Sequence, residues 1–214
     1  MTSLAWVIGA LLSAYLLPGP MILRQMAVRR SEMLPVSFDV QGTLHLRDAT
    51  GNGLAEDLRT KVSFSPGRCR WHFDGDKPLE IVNERGRIDV SEPRWGVWLA
   101  KLGCEPFLGS ASPGGTLEQE LRSGGDDFDA VALVRRFGEI AYVLGAGENG
   151  SGRTGLIVAK KGLVPLRFYV EEKGVRVGCD FRRYEATFRS GAFPRQIDLT
   201  AGDTVVASFV SKSD

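Results

Sequence analysis

From Val36 to Arg47, apolar and polar residues alternate for twelve residues without a break. Val36, Phe38, Val40, Gly42, Leu44 and Leu46 fall on one parity, and Ser37, Asp39, Gln41, Thr43, His45 and Arg47 on the other. Successive side chains of a strand point to opposite faces, so a run this long demands one face against a core and the other in water. An antiparallel sheet curved around its contents meets that demand, whereas a parallel sheet covered on both faces would read as continuous apolar runs. Gly42, in the middle of the run, is the expected bend.

The rest of the chain repeats the pattern in shorter pieces. Leu58, Val62 and Phe64 lead to the turn pair Pro66-Gly67, and Cys69, Trp71 and Phe73 then alternate with Arg70 and His72. Leu79 to Val82 and Ile88 to Val90 extend the meander. Further strands are expected at Ala130 to Phe137, Ile140 to Gly145, Gly155 to Ala159, Leu166 to Val170, Val175 to Phe181, Phe193 to Thr200 and Thr204 to Val210. In Val175 to Arg182 the alternation is clean and predicts a wet face through Arg176, Gly178, Asp180 and Arg182. One helix precedes the strands and two short ones interrupt them. Pro20 to Met33 is amphipathic, with Ile22, Met26 and Met33 on one side and Arg24, Arg29 and Arg30 elsewhere. Trp95, Trp98, Leu99 and Leu102 share a face at helical spacing, and Thr116 with Gln119 reads as a capping box. About ten or eleven strands are expected, a number at which sheets curl. The fold class is mainly β (α+β): one curved antiparallel sheet forming an unclosed barrel, covered by a few short helices, in a single domain over 20–214.

Residues 1–23 carry no charged side chain, and Leu4 to Leu17 form an apolar block of the size found in secretory signals. Residues 1–19 are therefore expected to be a signal peptide or an N-terminal membrane anchor. The n-region has no Lys or Arg, and no A-x-A site precedes Pro18. Leu4 to Leu23 uncleaved approaches the ~20 residues that cross a bilayer. Arg24, Arg29 and Arg30 directly after it would favour a cytoplasmic body, against the exported character of the β-domain. Export is the expectation, with tethering to the inner membrane the alternative.

The composition excludes several function classes. The 214 residues are 43% hydrophobic, which rules out disorder, and a net charge of +1 gives no footprint for nucleic acid. Cys69, Cys104 and Cys179 lie far apart with no C-x-x-C, and His45 and His72 have no metal-ligand spacing to them. The three cysteines read as small buried apolar residues, and the two histidines as solvated strand residues. Asp126, Asp127 and Asp129 lack a calcium-loop pattern and read as a hydrated turn. Gly147 to Thr154 nearly matches a phosphate-binding loop, but Arg153 stands where that motif needs Lys, and Leu156-Ile157-Val158 predict a strand instead of a helix. No catalytic residue, metal or cofactor is expected.

Several placed features together resemble the LolA/LolB-like outer-membrane lipoprotein carrier superfamily of Gram-negative envelopes. They are the helix before a long strand with Gly42-Thr43-Leu44, and Pro66 to Trp71 followed by Pro78, Ile81-Val82 and Gly86. Glu105-Pro106-Phe107-Leu108, Gly162 to Arg167 and Phe193-Pro194 complete the set. The resemblance implies an unclosed barrel whose apolar cavity holds acyl chains of lipoproteins or other lipids. It implies a non-enzymatic, monomeric periplasmic carrier serving an inner-membrane donor complex and an outer-membrane acceptor. Exposing one acyl chain of about sixteen carbons costs on the order of 10 kcal/mol at ~0.8 kcal/mol per CH₂, so a carrier needs a lined pocket. The expected lining is Phe38, Val40, Leu44, Phe64, Trp71, Phe73 and Ile81 on strands, with Trp98 and Leu102 on a covering helix. Carriers of this type often place an Arg before the Pro of the third-strand turn as a gate; Ser65 holds that position, with Arg68 and Arg70 nearby. A membrane-tethered envelope sensor or structural module that binds a protein partner is the alternative function.

Overall fold

The computed structural model describes residues 16–33, 37–47, 54–88, 93–108, 115–124, 128–129, 131–145, 152–184 and 193–212. The first meander is β1 (Phe38–Arg47), β2 (Leu54–Ser65), β3 (Arg68–Asp74), β4 (Leu79–Glu84) and β5 (Arg87–Ile88). The second is β6 (Ala132–Arg136), β7 (Glu139–Leu144), β8 (Thr154–Ala159), β9 (Pro165–Glu172), β10 (Val175–Arg182), β11 (Gln196–Ala201) and β12 (Thr204–Ser211). Three α-helices, α1 (Gly19–Met33), α2 (Arg94–Leu102) and α3 (Thr116–Ser123), and a 3-10 turn at Glu105–Phe107 complete the described elements.

All twelve strands belong to one sheet in the order β5-β4-β3-β2-β1-β12-β11-β10-β9-β8-β7-β6, every neighbour antiparallel. Among the described residues the two edges, β5 and β6, do not pair, so the sheet curls without closing. The count is one or two above the expected ten or eleven, although each strand, β5 included, falls on a segment read as strand in the sequence. The β1–β12 pair joins the two meanders, with Leu44 opposite Phe209 on the concave face. Gly42 is buried there; a Cβ at this position would run into the Phe209 ring and the Val210 carbonyl, so the missing side chain admits a cross-strand ring.

Antiparallel pairing gathers the turns at two rims. The lower rim, where β1 begins, carries the turns around Gly67, Gly86, Gly138 and Gly162. The upper rim, where β1 ends, carries those around Gly75, Gly174 and Gly202.

The helices lie over the concave face. Ile22, Leu23 and Met26 of α1 are buried in the main core, and Leu16 and Leu17 pack against it. Ile22 and Leu23 therefore serve the domain core, although the sequence alone allowed them to end a membrane span. No helix among the described residues is long and apolar enough to cross a membrane. The apolar residues before Leu16 lie outside the described residues, as do Asp126, Asp127 and most of the loop at Gly147 to Thr154. The strand expected after that loop is present as β8, buried at all six positions.

Three local expectations are corrected. The N-cap of α3 is Gly115, and Thr116 is already its first helical residue, so the Thr116–Gln119 pair is not a capping box. Cys69 and Cys104 are not separate buried thiols: they form a disulfide with a Cα separation of 6.1 Å, which leaves Cys179 as a buried free thiol. Sequence distance hid the pair, because they lie 35 positions apart and only folding brings α2 back over β3. The third concerns β10, whose second face is not wet: Gly178 and Asp180 are buried on the convex side.

Candidate functional site

The structure places all nine expected lining residues on the concave side. Val40, Leu44, Phe64, Trp71, Phe73, Ile81 and Leu102 are buried in the main core, while Phe38 and Trp98 are half-buried against it. Strand parity explains the strand members: Phe38 pairs with Phe64, Val40 with Val62 and Leu44 with Leu58 across β1–β2, and Trp71 with Ile81 across β3–β4.

The two ends of this concavity differ. At the lower rim five phenylalanines interlock. Phe38 stacks on Phe64 with centroids 4.7 Å apart, and Phe193 meets Phe38, Phe64 and Phe107 at 5.8, 5.5 and 5.0 Å. Phe107 in turn meets Phe181 edge-on at 5.2 Å. Offset and edge contacts at these distances suit the ring quadrupoles, and the cluster plugs that end. Phe181 lies on the expected inward parity of β10. Phe107 sits outside any strand period, and Phe193, expected to open a strand, instead precedes β11, which begins at Gln196.

Towards the upper rim a second group of rings follows, in which Trp71 meets Phe209 edge-on at 5.3 Å. Trp71 stacks loosely on Phe73 at 6.0 Å, and Phe73 meets Trp95 of α2 edge-on at 5.2 Å. A cavity of about 310 Å³ opens here, lined by the apolar side chains of Leu58, Phe73, Leu79 and Trp95 and rimmed by Glu56, Asp76 and Lys77. Of the nine expected residues, Phe73 is the one that lines this opening. Leu58, Leu79 and Trp95 are additions; each lay on an apolar parity or helix face legible in the sequence, but nothing there said which apolar residues would border open space.

Helix α2 forms one wall of the opening, and its two ends are held differently. Past its C-terminal end, Cys104 is bonded to Cys69 of β3, and the Trp71 indole N–H points at Cys104 Sγ at 3.0 Å. Asn83 of β4, fully buried, donates to the Ala100 carbonyl at 3.0 Å and to Glu105 Oε1 at 3.1 Å, and accepts from the Gly86 N–H at 3.0 Å. A buried amide used this fully fixes the helix end, the 3-10 turn and the β4–β5 turn to one another. Across the mouth, the Trp98 indole N–H donates to Glu172 Oε2 at 2.8 Å on β9, and the buried face of the helix packs towards β10 and β11.

The polar residues weighed in the sequence lie on the convex face. His45 bonds Asp57 at 2.6 Å and His72 bonds Asp74 at 2.9 Å, both pairs exposed. Arg70 points outwards to Glu80 at 3.5 Å. Burial pushes the Cys179 thiol well up from its ordinary value, which makes it a poor nucleophile. Among the described residues no group of three His, Cys, Asp or Glu could hold a metal ion.

No family model matches this sequence, and no curated protein matches it. Among solved structures, 16 chains match. A LolA superfamily protein from Nitrosomonas europaea is 13% identical with a TM-score of 0.53, over 92% of this chain and 93% of its own. A DUF1329 family protein from Desulfovibrio piger is 10% identical with a TM-score of 0.48, over 92% of this chain and 91% of its own. With its open twelve-stranded sheet wrapped round a helix-covered apolar face, this chain has a LolA-like fold.

Proposed function

We propose that this protein is a non-enzymatic carrier of acyl chains in an oxidising envelope compartment, moving lipoproteins or other lipids toward the outer membrane. The observation that carries this reading is the apolar opening between α2 and β2–β4, whose floor belongs to the main core. Its volume, about 310 Å³, is at the small end of ligand pockets, which run from about 300 to 1,000 Å³. A whole acyl chain needs more room, and α2 supplies it by swinging from its stapled C-terminal end. That motion breaks the exposed Trp98–Glu172 bond and lifts the helix from β10 and β11, so the acyl chain must replace the apolar contacts the helix loses. The Leu44, Trp71 and Ile81 side chains then become wall. The disulfide supports the compartment, since such bonds persist where thiols are not kept reduced. The resemblance in sequence motifs and the LolA-like fold support the cargo class.

Native mass spectrometry of the protein purified without detergent tests the reading directly. Acyl-lipid adducts are expected, together with uptake of a fluorescent fatty acid. Leu79→Arg, at a half-buried site where the guanidinium reaches water, is expected to lower that uptake about tenfold with the fold intact, since a charge in the mouth opposes desolvation. A clean apo mass with no uptake sinks the carrier. The close packing of the other expected lining residues would then favour the alternative, an envelope module that binds a protein partner.

A further inference from the structure

Hairpin β6–β7 turns through Phe137 and Gly138, both at positive φ, 50° and 83°. Two-residue turns of this kind favour Asn or Asp before Gly, because short polar side chains tolerate left-handed backbone. A bulky aromatic residue held there is an outlier that costs stability. Burial does not offset that cost: Phe137 is 43% exposed, its ring flanked by the guanidiniums of Arg136 and Arg182 at 4.7 and 4.5 Å. A strained residue whose ring stays outside the core is a pointer to function.

Charge at the same lower rim is one-sided. Arg85, Arg87, Lys160, Lys161, Arg183 and Lys212 are all exposed at or beside its turns, and among the described residues none of the six has an ion-pair partner. Among the described residues, the exposed acids at these turns are Glu84 and Glu139. The upper rim is mixed, with Asp74, Asp76, Glu172 and Asp203 set against Lys77 and Lys173. The whole chain is only +1, so this polarity comes from topology, which sends the basic turns to one end. Ile140, 51% exposed, lies beside the lysine turn, its carbonyl accepting the Lys160 N–H at 2.9 Å.

We propose that the lower rim docks on a bilayer containing anionic lipid, with Phe137 entering the interface and the surrounding cations meeting headgroup phosphates. Aromatic rings settle at the level of the headgroups, and a basic cluster beside them adds electrostatic attraction. The signal is spread over separate turn tips, which suits a fluid surface better than a shaped protein pocket. A second copy brought rim to rim would meet its own charge. Docked this way, the plugged end faces the membrane and the cavity at the upper rim stays open to water.

Flotation of the full chain with phosphatidylcholine vesicles, with and without a minor share of phosphatidylglycerol, tests this at low salt. The apolar N-terminal block can hold the chain to either vesicle, so the quantity read is the gain on adding anionic lipid. Phe137→Asn suits the turn and is expected to leave or raise Tm while lowering that gain about tenfold. Lys160→Ala with Lys161→Ala is expected to lower it about thirtyfold, and Lys173→Ala, on the upper rim, to leave it unchanged. Equal binding to both vesicles, lower-rim variants that bind like the parent, or a loss on Lys173→Ala would each overturn the proposal. Capture by polyglutamate without vesicle binding would also overturn it and assign the rim to an acidic protein. None of these outcomes depends on whether the cavity takes an acyl chain.

Discussion

The two walls of the sheet treat their convex faces in opposite ways. On β1–β4 that face is a single wet layer where exposed ion pairs run across the strands, Lys61 to Asp39 at 2.8 Å and Arg70 to Glu80 at 3.5 Å. On β6–β11 it is a second, smaller core. Ala141, Val143, Ile157, Ala159, Leu166 and Tyr169 are buried together there, and beside them lie two buried carboxylates. Asp180 takes Arg136 at 2.7 Å and Arg167 at 3.0 and 3.2 Å; Asp198 takes Ser208 at 2.6 Å and Gln196 at 2.8 Å. No second layer of secondary structure is needed. Long arginine side chains lying along the sheet cover apolar neighbours with their stems while their heads satisfy the acids. A strand face with charged residues on every second position can therefore be either surface or core, and what separates the two is whether the charges cross-pair beneath arginines.

The sharpest way to break this contrast is Asp180→Ala. It leaves Arg167, whose side chain is 13% exposed, facing Arg136 with no anion between them. A loss of about 3–5 kcal/mol is expected by urea denaturation, as for other buried pairs stripped of one partner. A loss as small as that of an exposed pair would show that this face is not a core at all.

The first wall gains its rigidity from the helix side instead. Cys104→Ser removes a cross-link with a sequence separation of 35 and is expected to cost about 2–4 kcal/mol; reducing the native protein should reproduce that loss. Asn83→Leu is expected to cost about 1–3 kcal/mol, because the Glu105 carboxyl, 1% exposed, loses a donor along with the Ala100 carbonyl. Loss of α2 order on hydrogen exchange, with the β6–β11 wall unchanged, would confirm that the two walls are held by separate devices.

The smallest effect belongs to the wet face. The hydrogen bond from Lys61, and after it that from Ser63, holds the Asp39 carboxyl below its ordinary value. A carboxyl lowered on folding adds stability above its unfolded pKa of about 3.9, and that stability disappears as pH falls through the lowered folded value. Lys61→Ala is therefore expected to cost under about 1 kcal/mol at neutral pH, since both side chains are about half exposed, and the gap from the parent should narrow below about pH 4. A gap that widened in acid would contradict the pairing.

Much of the concave face was legible in the sequence. The alternation from Phe38 to Leu46, and those through Trp71 and Val177, set which side chains face inwards, because strand periodicity is a local property. Helices α1 and α2 were legible for the same reason. The rest depended on partners distant in the chain. The plug needs Phe107, which no period marks, brought against Phe193 from near the other end of the chain, and the open mouth needs Trp95 to stop short of Leu58. The Cys69–Cys104 bond and the burial of Asp180 likewise follow from which strands become neighbours.

The sequence by itself determined that this chain is an open, curved, mostly antiparallel sheet with an apolar inner side, since alternation and turn residues act within a few positions of one another. Tertiary structure alone decided which end of that inner side is plugged, which is open, and which rim collects the positive charge. Those properties belong to side chains and turns brought together by strand order, and strand order is not written in any single stretch of the chain.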